Sequence, residues 1–219
     1  MPLKAAIVPV TPFQQNCTLL WDEATKRGAV VDPGGDLARI EAGIEKTGMT
    51  PEKILLTHGH LDHAGGAAEL KEKLGGIPID GPHEADKFLL DGLAAQGLAM
   101  GVAGMRNVTP DRWLAEGDTV TAGGATFSVL HCPGHSPGSV VLVNAAQRFA
   151  LVGDVLFKGS IGRWDFPMGN HQQLIESITQ RLWPMGVDTH FVPGHGPMST
   201  FGHERLTNPF VADRILQQA

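Results

Sequence analysis

The sequence predicts a mixed α/β fold in which two packed β-sheets are flanked by helices. Three observations carry this. Strand-length apolar runs occur in both halves of the 219-residue chain. Helical segments also occur in both halves. Many of the strand runs are apolar throughout, as strands buried on both faces are. Together they favour two layers of sheet over one doubly wound sheet, with residues 1–219 expected to form one domain.

The elements follow in order. "AAIVPV", "CTLLW" and "RGAVVD" read as strands separated by turn residues. "VDPGGD" closes the third, and Asp36 is the expected N-cap of a helix reaching about Lys46. "KILLT" reads as a fully buried strand. Helices are expected from about His63 to Leu74 and from about His83 to Gln96. Residues 97–112, "GLAMGVAGMRNVTPDR", are rich in glycine and read as a long surface excursion. Strands resume at "TVTA", "ATFSVL", "SVVLVN" and "RFALVG". A helix is expected over Gln172 to Leu182, then the strand "THFVP" and a short C-terminal helical piece.

Composition narrows the function. A net charge of −6 argues against general affinity for nucleic acid or an anionic membrane. No apolar run of about 18 residues is present, so no membrane-spanning helix is expected. The N-terminus lacks the pattern of a secretory signal. With 2 cysteines there is no disulfide framework, and a cytoplasmic location is expected.

"LLTHGHLDHAGG", residues 55–66, places three histidines and an aspartate directly after an apolar strand. Internal hydrogen bonds alone would hardly satisfy such crowding. The same event recurs down the chain. "FSVLHCPG" leads to His135, "FALVG" to Asp154, and "HFVPG" to His195. A lone histidine after a strand is ordinarily a hydrogen-bonded surface residue, but four strand ends with metal-competent side chains form a far more specific pattern. Strand ends at one sheet rim bring distant residues together on rigid supports. His58, His60, His63, His135 and His195 with Asp62 and Asp154 are enough donors for two divalent ions. Imidazole with carboxylate suits zinc foremost, and iron or manganese as well.

These motifs carry a resemblance. "THGHLDHAGG", "HCPGHSPGS", "GDVLF" and "PGHG" resemble, in order, the successive motifs of the metallo-β-lactamase superfamily. The resemblance implies a four-layer αββα sandwich with a binuclear site at one edge of its two sheets. It assigns His58, His60 and His135 to one ion, Asp62, His63 and His195 to the other, and Asp154 to both. "FKGSIGRWDFPMGN", "GHGPMSTFGHERLTNPF", "VTPFQQNCTLLW" and "VDPGGD" are similar to the short glyoxalase II-like branch, the hydroxyacylglutathione hydrolases. Larger glyoxalase II enzymes carry a C-terminal helical domain and tyrosines that contact glutathione. Neither is expected here, since the chain ends soon after "ERLTNPF" and contains 0 tyrosines.

The activity so implied is hydrolysis of a small-molecule thioester, S-D-lactoylglutathione or a related hydroxyacyl thioester, as in methylglyoxal detoxification. Metal-activated water is nucleophilic near neutral pH, and a departing thiolate of pKa about 8.5 needs no strong general acid. Asp62 is expected to orient the nucleophile and Asp154 to bridge the ions. The resemblance places Arg163 where a cationic residue meets glutathione, and Lys158 is a second substrate-binding candidate. Asp32 reads either as a buried acceptor that fixes the histidine loop or as an Asx turn before Pro33. Glu204 and Asn208 read as ties for the C-terminal segment, His131 as a core or supporting residue, and Cys132 as a packed thiol. No nucleic-acid or membrane partner is expected, and the chain should be a monomer or weak homo-oligomer. The competing reading is a persulfide dioxygenase with one iron on His58, His135 and Asp154. A nuclease of the same fold is disfavoured by the charge.

Overall fold

A computed structural model describes residues 3–217, and its strands sort into two main sheets and a small hairpin. The first sheet runs β1 (Leu3–Val10), β2 (Gln15–Asp22), β3 (Arg27–Val31), β4 (Thr50–Leu55) and β5 (Ile79–Asp80), in that spatial order. The second contains β6 (Thr119–Ala122), β7 (Ala125–His131), β8 (Val140–Asn144), β9 (Phe149–Gly153), β12 (His190–Pro193) and β13 (Ser199–Thr200). Its spatial order is β13-β12-β9-β8-β7-β6. β10 (Leu156–Phe157) and β11 (Ser160–Ile161) form the hairpin.

The alternation of side chains along each strand explains the layering. In β3, Ala29 and Val31 enter the core between the sheets, while Val30 faces the helices outside. In β8, Val140 and Leu142 point inward, and Val141 and Val143 point to the opposite helical layer. The inter-sheet core is closed by Leu20, Leu55, Phe127, Val129, Leu151 and Val192. Against the first sheet pack α1 (Leu37–Thr47), α2 (Leu61–Ala64), α3 (Ala67–Lys73), α4 (Lys87–Asp91) and α5 (Leu93–Ala99). Against the second pack α6 (His171–Glu176), its π-helical continuation Ser177–Leu182, and α7 (Phe201–Thr207). A further short helix, α8 (Asp213–Leu216), follows. This is the αββα sandwich, with the inner strands of each sheet buried on both faces.

Some local expectations are corrected. Asp36 holds the expected N-cap position of α1, its carbonyl accepting from the Arg39 amide at 2.8 Å, but its side chain makes no capping bond. The residue lies in the left-handed region at φ 48°, and its carboxylate accepts from the Thr11 amide at 2.8 Å, pinning the loop after β1. The helix expected from His63 starts two residues earlier and breaks at Gly65–Gly66, where the Gly66 amide donates to Pro33 O instead. The segment from His83 is a 3-10 turn (Glu84–Asp86) followed by α4 and α5, interrupted at Gly92. The excursion after it is not wholly superficial, because Val108 is buried in the first helical core.

The ends of β4, β7, β9 and β12 all reach one rim. Parallel pairing sets Pro193 of β12 beside Gly153 of β9, so Asp154 and His195 emerge together. The Val140 amide donates to Thr57 O at 2.8 Å and ties the two sheets at that rim. Asn16 clamps the following loop, its Nδ2 donating to Pro193 O (3.0 Å) and Gly196 O (2.8 Å).

Phe127 is fully buried between the sheets. Phe127→Ala should lower the unfolding free energy in urea by about 3–5 kcal/mol. Leu206→Ala, at a side chain 73% exposed, should change it by less than about 0.5 kcal/mol.

Candidate metal centre

The rim gathers seven side chains into two groups that share a neighbour. The ligand-competent atoms of His58, His60 and His135 lie within 4.8 Å of one another, and those of Asp62, His63 and His195 do the same. Asp154 stands between them. Its Oδ2 is 3.6 Å from His135 Nε2 and 3.6 Å from His195 Nε2, while its Oδ1 is 3.3 Å from His63 Nε2. All seven residues named from the sequence therefore meet at one place.

Each imidazole is aimed by what its other nitrogen touches. His135 Nδ1 donates to Arg163 O at 2.8 Å, and His195 Nδ1 donates to Phe13 O at 3.1 Å. A carbonyl can only accept, so both rings present a bare Nε2 to the centre when neutral. His63 Nδ1 donates to Asp32 Oδ2 at 2.9 Å. The Thr57 hydroxyl donates to the same oxygen at 2.6 Å and accepts from His58 Nδ1 at 3.1 Å. Asp32 Oδ1 also takes the Thr57 amide at 2.7 Å. Asp32 is thus the acceptor that fixes the histidine segment. It also lies near His58 and His63 as an alternative donor cluster. Both its oxygens are already engaged in these bonds, so it orients histidines rather than joining the centre.

The donor set fits a cation. His58 Nε2 and His135 Nε2 face each other at 3.3 Å, and His60 Nδ1 approaches the same His135 nitrogen at 2.9 Å. With their outer nitrogens protonated, the first two are opposed lone pairs, which a positive charge between them would relieve. In the other half, His63 Nε2 and Asp154 Oδ1 are buried 3.3 Å from each other and have no other hydrogen-bond partner. Buried polar atoms are rarely left so. The cluster is suited to binding metal.

The electrostatics split the histidines in two. Burial, reinforced by the neighbouring imidazoles, holds His58 well below the ordinary histidine range and pushes His60 down to about 3. Burial likewise lowers His135, although Asp154 opposes it. For His63 burial also disfavours charge, but Asp154, Asp62 and Asp32 outweigh it and raise it well above the ordinary value. His195 is raised in the same way, against burial, by Asp62 and Asp154. Burial works against ionised Asp154 and Asp62, yet the surrounding imidazoles hold both below the usual carboxylate range.

The mouth of the site has features that sequence reasoning did not single out. The Phe166 ring packs against His60 (centroids 4.9 Å apart) and His135 (5.6 Å), with the Arg163 guanidinium 4.4 Å above its centroid. Arg163 also pairs with Asp165 at 2.9 Å, both side chains being exposed. Arg163 is therefore at the lip. Lys158 is not brought there: it lines a separate surface groove with His190, Met198 and His203. Glu204 and Asn208 are buried and brace the β10–β11 hairpin, Glu204 accepting from the Gly159 amide and Asn208 Nδ2 donating to Ser160 O. Cys132 is fully buried, and burial pushes its thiol far up, which leaves it a packing residue. His131 Nε2 donates to Pro137 O at 2.8 Å, outside the centre.

Comparison with known proteins places this geometry among relatives. The model of the metallo-beta-lactamase superfamily matches residues 10–203. A hydroxyacylglutathione hydrolase of Haemophilus influenzae, GloC, is 44% identical over 206 residues, covering 94% of this chain and 96% of the relative. Among solved structures, the B3 metallo-beta-lactamase BLEG-1 superposes with a TM-score of 0.86 at 34% identity, covering 95% of this chain and 99% of its own. TTHA1623, solved in a di-iron-bound form, gives 0.84 at 38% identity, covering 94% and 100%.

The raised His63 and His195 have a measurable consequence. Below its raised pKa the metal-free His63 carries a proton, which it must release to donate its lone pair. Metal titration near pH 7, in buffers of different ionisation enthalpy, should show about one proton released from His63 and a further fraction from His195. His58 and His60 should add none. Apparent affinity should fall as pH is lowered, and the release should vanish as pH rises past the His63 pKa. Proton-neutral loading at pH 7 would contradict this assignment.

Proposed function

The chain belongs to the metallo-beta-lactamase superfamily, and from that premise we propose that it is a binuclear thioester hydrolase acting on S-D-lactoylglutathione or a related hydroxyacyl thioester. The observation that carries the proposal is the pair of three-donor groups with Asp154 between them. The hydroxyacylglutathione hydrolase named among the relatives supports the substrate class. Two divalent ions, zinc foremost, held by His58, His60 and His135 and by Asp62, His63 and His195 with Asp154 contacting both, would supply an acidified water and a Lewis acid for the carbonyl.

The chain's own groups do the rest. Asp62, held ionised by the imidazoles around it, would orient the attacking water by accepting a hydrogen, while Asp154, also held ionised, spans the two donor groups. The backbone carbonyls of Arg163 and Phe13 and the carboxylate of Asp32 keep His135, His195 and His63 in one tautomer through the reaction. Thiolate departure needs little protonation, since a thiol of pKa about 8.5 leaves readily near neutral pH. Arg163, whose guanidinium lies 4.4 Å over the Phe166 ring, would take a carboxylate of the thiol carrier. Its partner Asp165 is solvent-exposed, and such pairs exchange partners at little cost.

The mononuclear iron persulfide dioxygenase is the second reading, and the ligands His58, His135 and Asp154 belong to both. The separate donor group of Asp62, His63 and His195 favours two ions, because a single ion on the other three residues would leave that group unused.

Purified metal-loaded protein should hydrolyse S-D-lactoylglutathione or a related hydroxyacyl thioester, followed by loss of thioester absorbance. His58→Ala and Asp154→Ala should reduce kcat/KM by at least about 10³-fold, the scale of losing electrostatic stabilisation of the transition state. Arg163→Ala should raise KM about tenfold with kcat nearly unchanged, the pattern of lost uniform binding. Intact thioesters together with oxygen uptake on glutathione persulfide would overturn the hydrolase in favour of the dioxygenase.

A further inference from the structure

Behind the three-histidine group lies a buried carboxylate that the proposed chemistry does not use. Asp86 closes the 3-10 turn Glu84–Asp86 and is 0% exposed. The groups that bond to it are neutral. Its Oδ2 accepts from the Gly59 amide at 2.8 Å and from the Ser136 hydroxyl at 2.8 Å, and its Oδ1 accepts from the Gly138 amide at 2.6 Å. Burial pushes its pKa up to about 6 despite these bonds. A carboxylate buried without a cation is costly to a fold, so its retention asks for a reason.

The donors supply that reason. Gly59 lies between His58 and His60, Ser136 follows His135, and Gly138 belongs to the same loop. One carboxylate therefore holds the two backbone segments that deliver three imidazoles to one point. The packing is close: a Cβ at Gly138 would sit 2.6 Å from Asp86 Cγ, and one at Gly59 3.2 Å from Asp86 Cβ. Residues on either side strengthen the joint. The His83 amide donates to Gly138 O at 3.1 Å. The His83 ring stacks on His131 with centroids 4.0 Å apart, and His131 in turn holds Pro137 O.

We propose that Asp86 is the positioning residue of the three-histidine half of the centre, clamping the His58–His60 segment to the His135 loop so that their nitrogens converge. The inference rests on those histidines holding an ion. In the other half, His63 rests on Asp32 and His195 on Phe13 O, neither of which bonds to Asp86, so the clamp acts chiefly on the three-histidine half.

Asp86→Asn is the direct test. Two backbone amides face opposite carboxylate oxygens, and an amide side chain offers only one oxygen. One N–H is then left against an NH₂ donor. Stepwise zinc titration against a chromophoric chelator should show the three-histidine step weakened about 10- to 100-fold and the other step changed less than about threefold. The same variant should lose kcat with KM nearly constant. Ser136→Ala, which keeps both backbone bonds, should weaken the same step by only about two- to fivefold. Circular dichroism and thermal unfolding of the metal-free proteins establish that each variant is folded. Wild-type affinities in folded Asp86→Asn, or equal weakening of both steps, would overturn the clamp. Were Asp86→Asn unfolded, an unaltered titration of Ser136→Ala would overturn it. A wild-type chain that takes up no ion would instead remove the binuclear reading, and the clamp with it.

Discussion

Lone pairs aimed at one another are the constraint around which this molecule is organised. His58 and His135 present bare Nε2 atoms 3.3 Å apart, and His63 Nε2 and Asp154 Oδ1 are buried 3.3 Å from each other with no other hydrogen-bond partner. Such an arrangement is costly, since its buried polar groups give up water for few partners. It persists because the surrounding structure overdetermines it. Four of the five imidazoles are pinned at their outer nitrogen, by Thr57, Asp32, Arg163 O and Phe13 O. The donors are thus fixed in place by the surrounding structure, and a bound cation would satisfy them.

The sandwich supplies the rigidity. Three separate apolar cores, one between the sheets and one under each helical layer, fix the ends of β4, β7, β9 and β12 at a common rim. The loops that leave those strands are short and braced. Asn16 of β2 grips both sides of the His195 turn, and a Cβ at Gly194 would lie 2.0 Å from Asp154 Oδ1, so that turn passes against the carboxylate with no room for a side chain. Glu204 and Asn208 brace the β10–β11 hairpin, which leads into Arg163 and Phe166 at the mouth. Stability and chemistry are joined at these loops.

Much of this is legible in the sequence, and the reason is chemical. Histidines and aspartates following apolar strands announce themselves by residue type, so His58, His60, Asp62, His63, His135, Asp154 and His195 could be named before any coordinates. The layers were legible because buried strands such as "AVV" and "VVLV" are apolar on both faces. What escaped has no side-chain signature. The acceptors behind His135 and His195 are backbone carbonyls, which any residue carries. Asp86 sits in "HEAD", where an acid reads as a helix-start residue, and only the fold sets it against Gly59 and Gly138. The two-residue strands β5, β10, β11 and β13 are too short to show a period. Lys158 follows the right strand, but its side chain turns into a different groove with His190 and His203. Sequence gives proximity along the chain and not direction.

The central claim is that one chain holds two ions in two defined donor sets. Anomalous difference maps from crystals grown with zinc, recorded on either side of the zinc edge, test it most directly. The account predicts two peaks per chain, one among His58, His60 and His135 and one among Asp62, His63 and His195, with Asp154 contacting both. A single peak on His58, His135 and Asp154, or none at the rim, would contradict it.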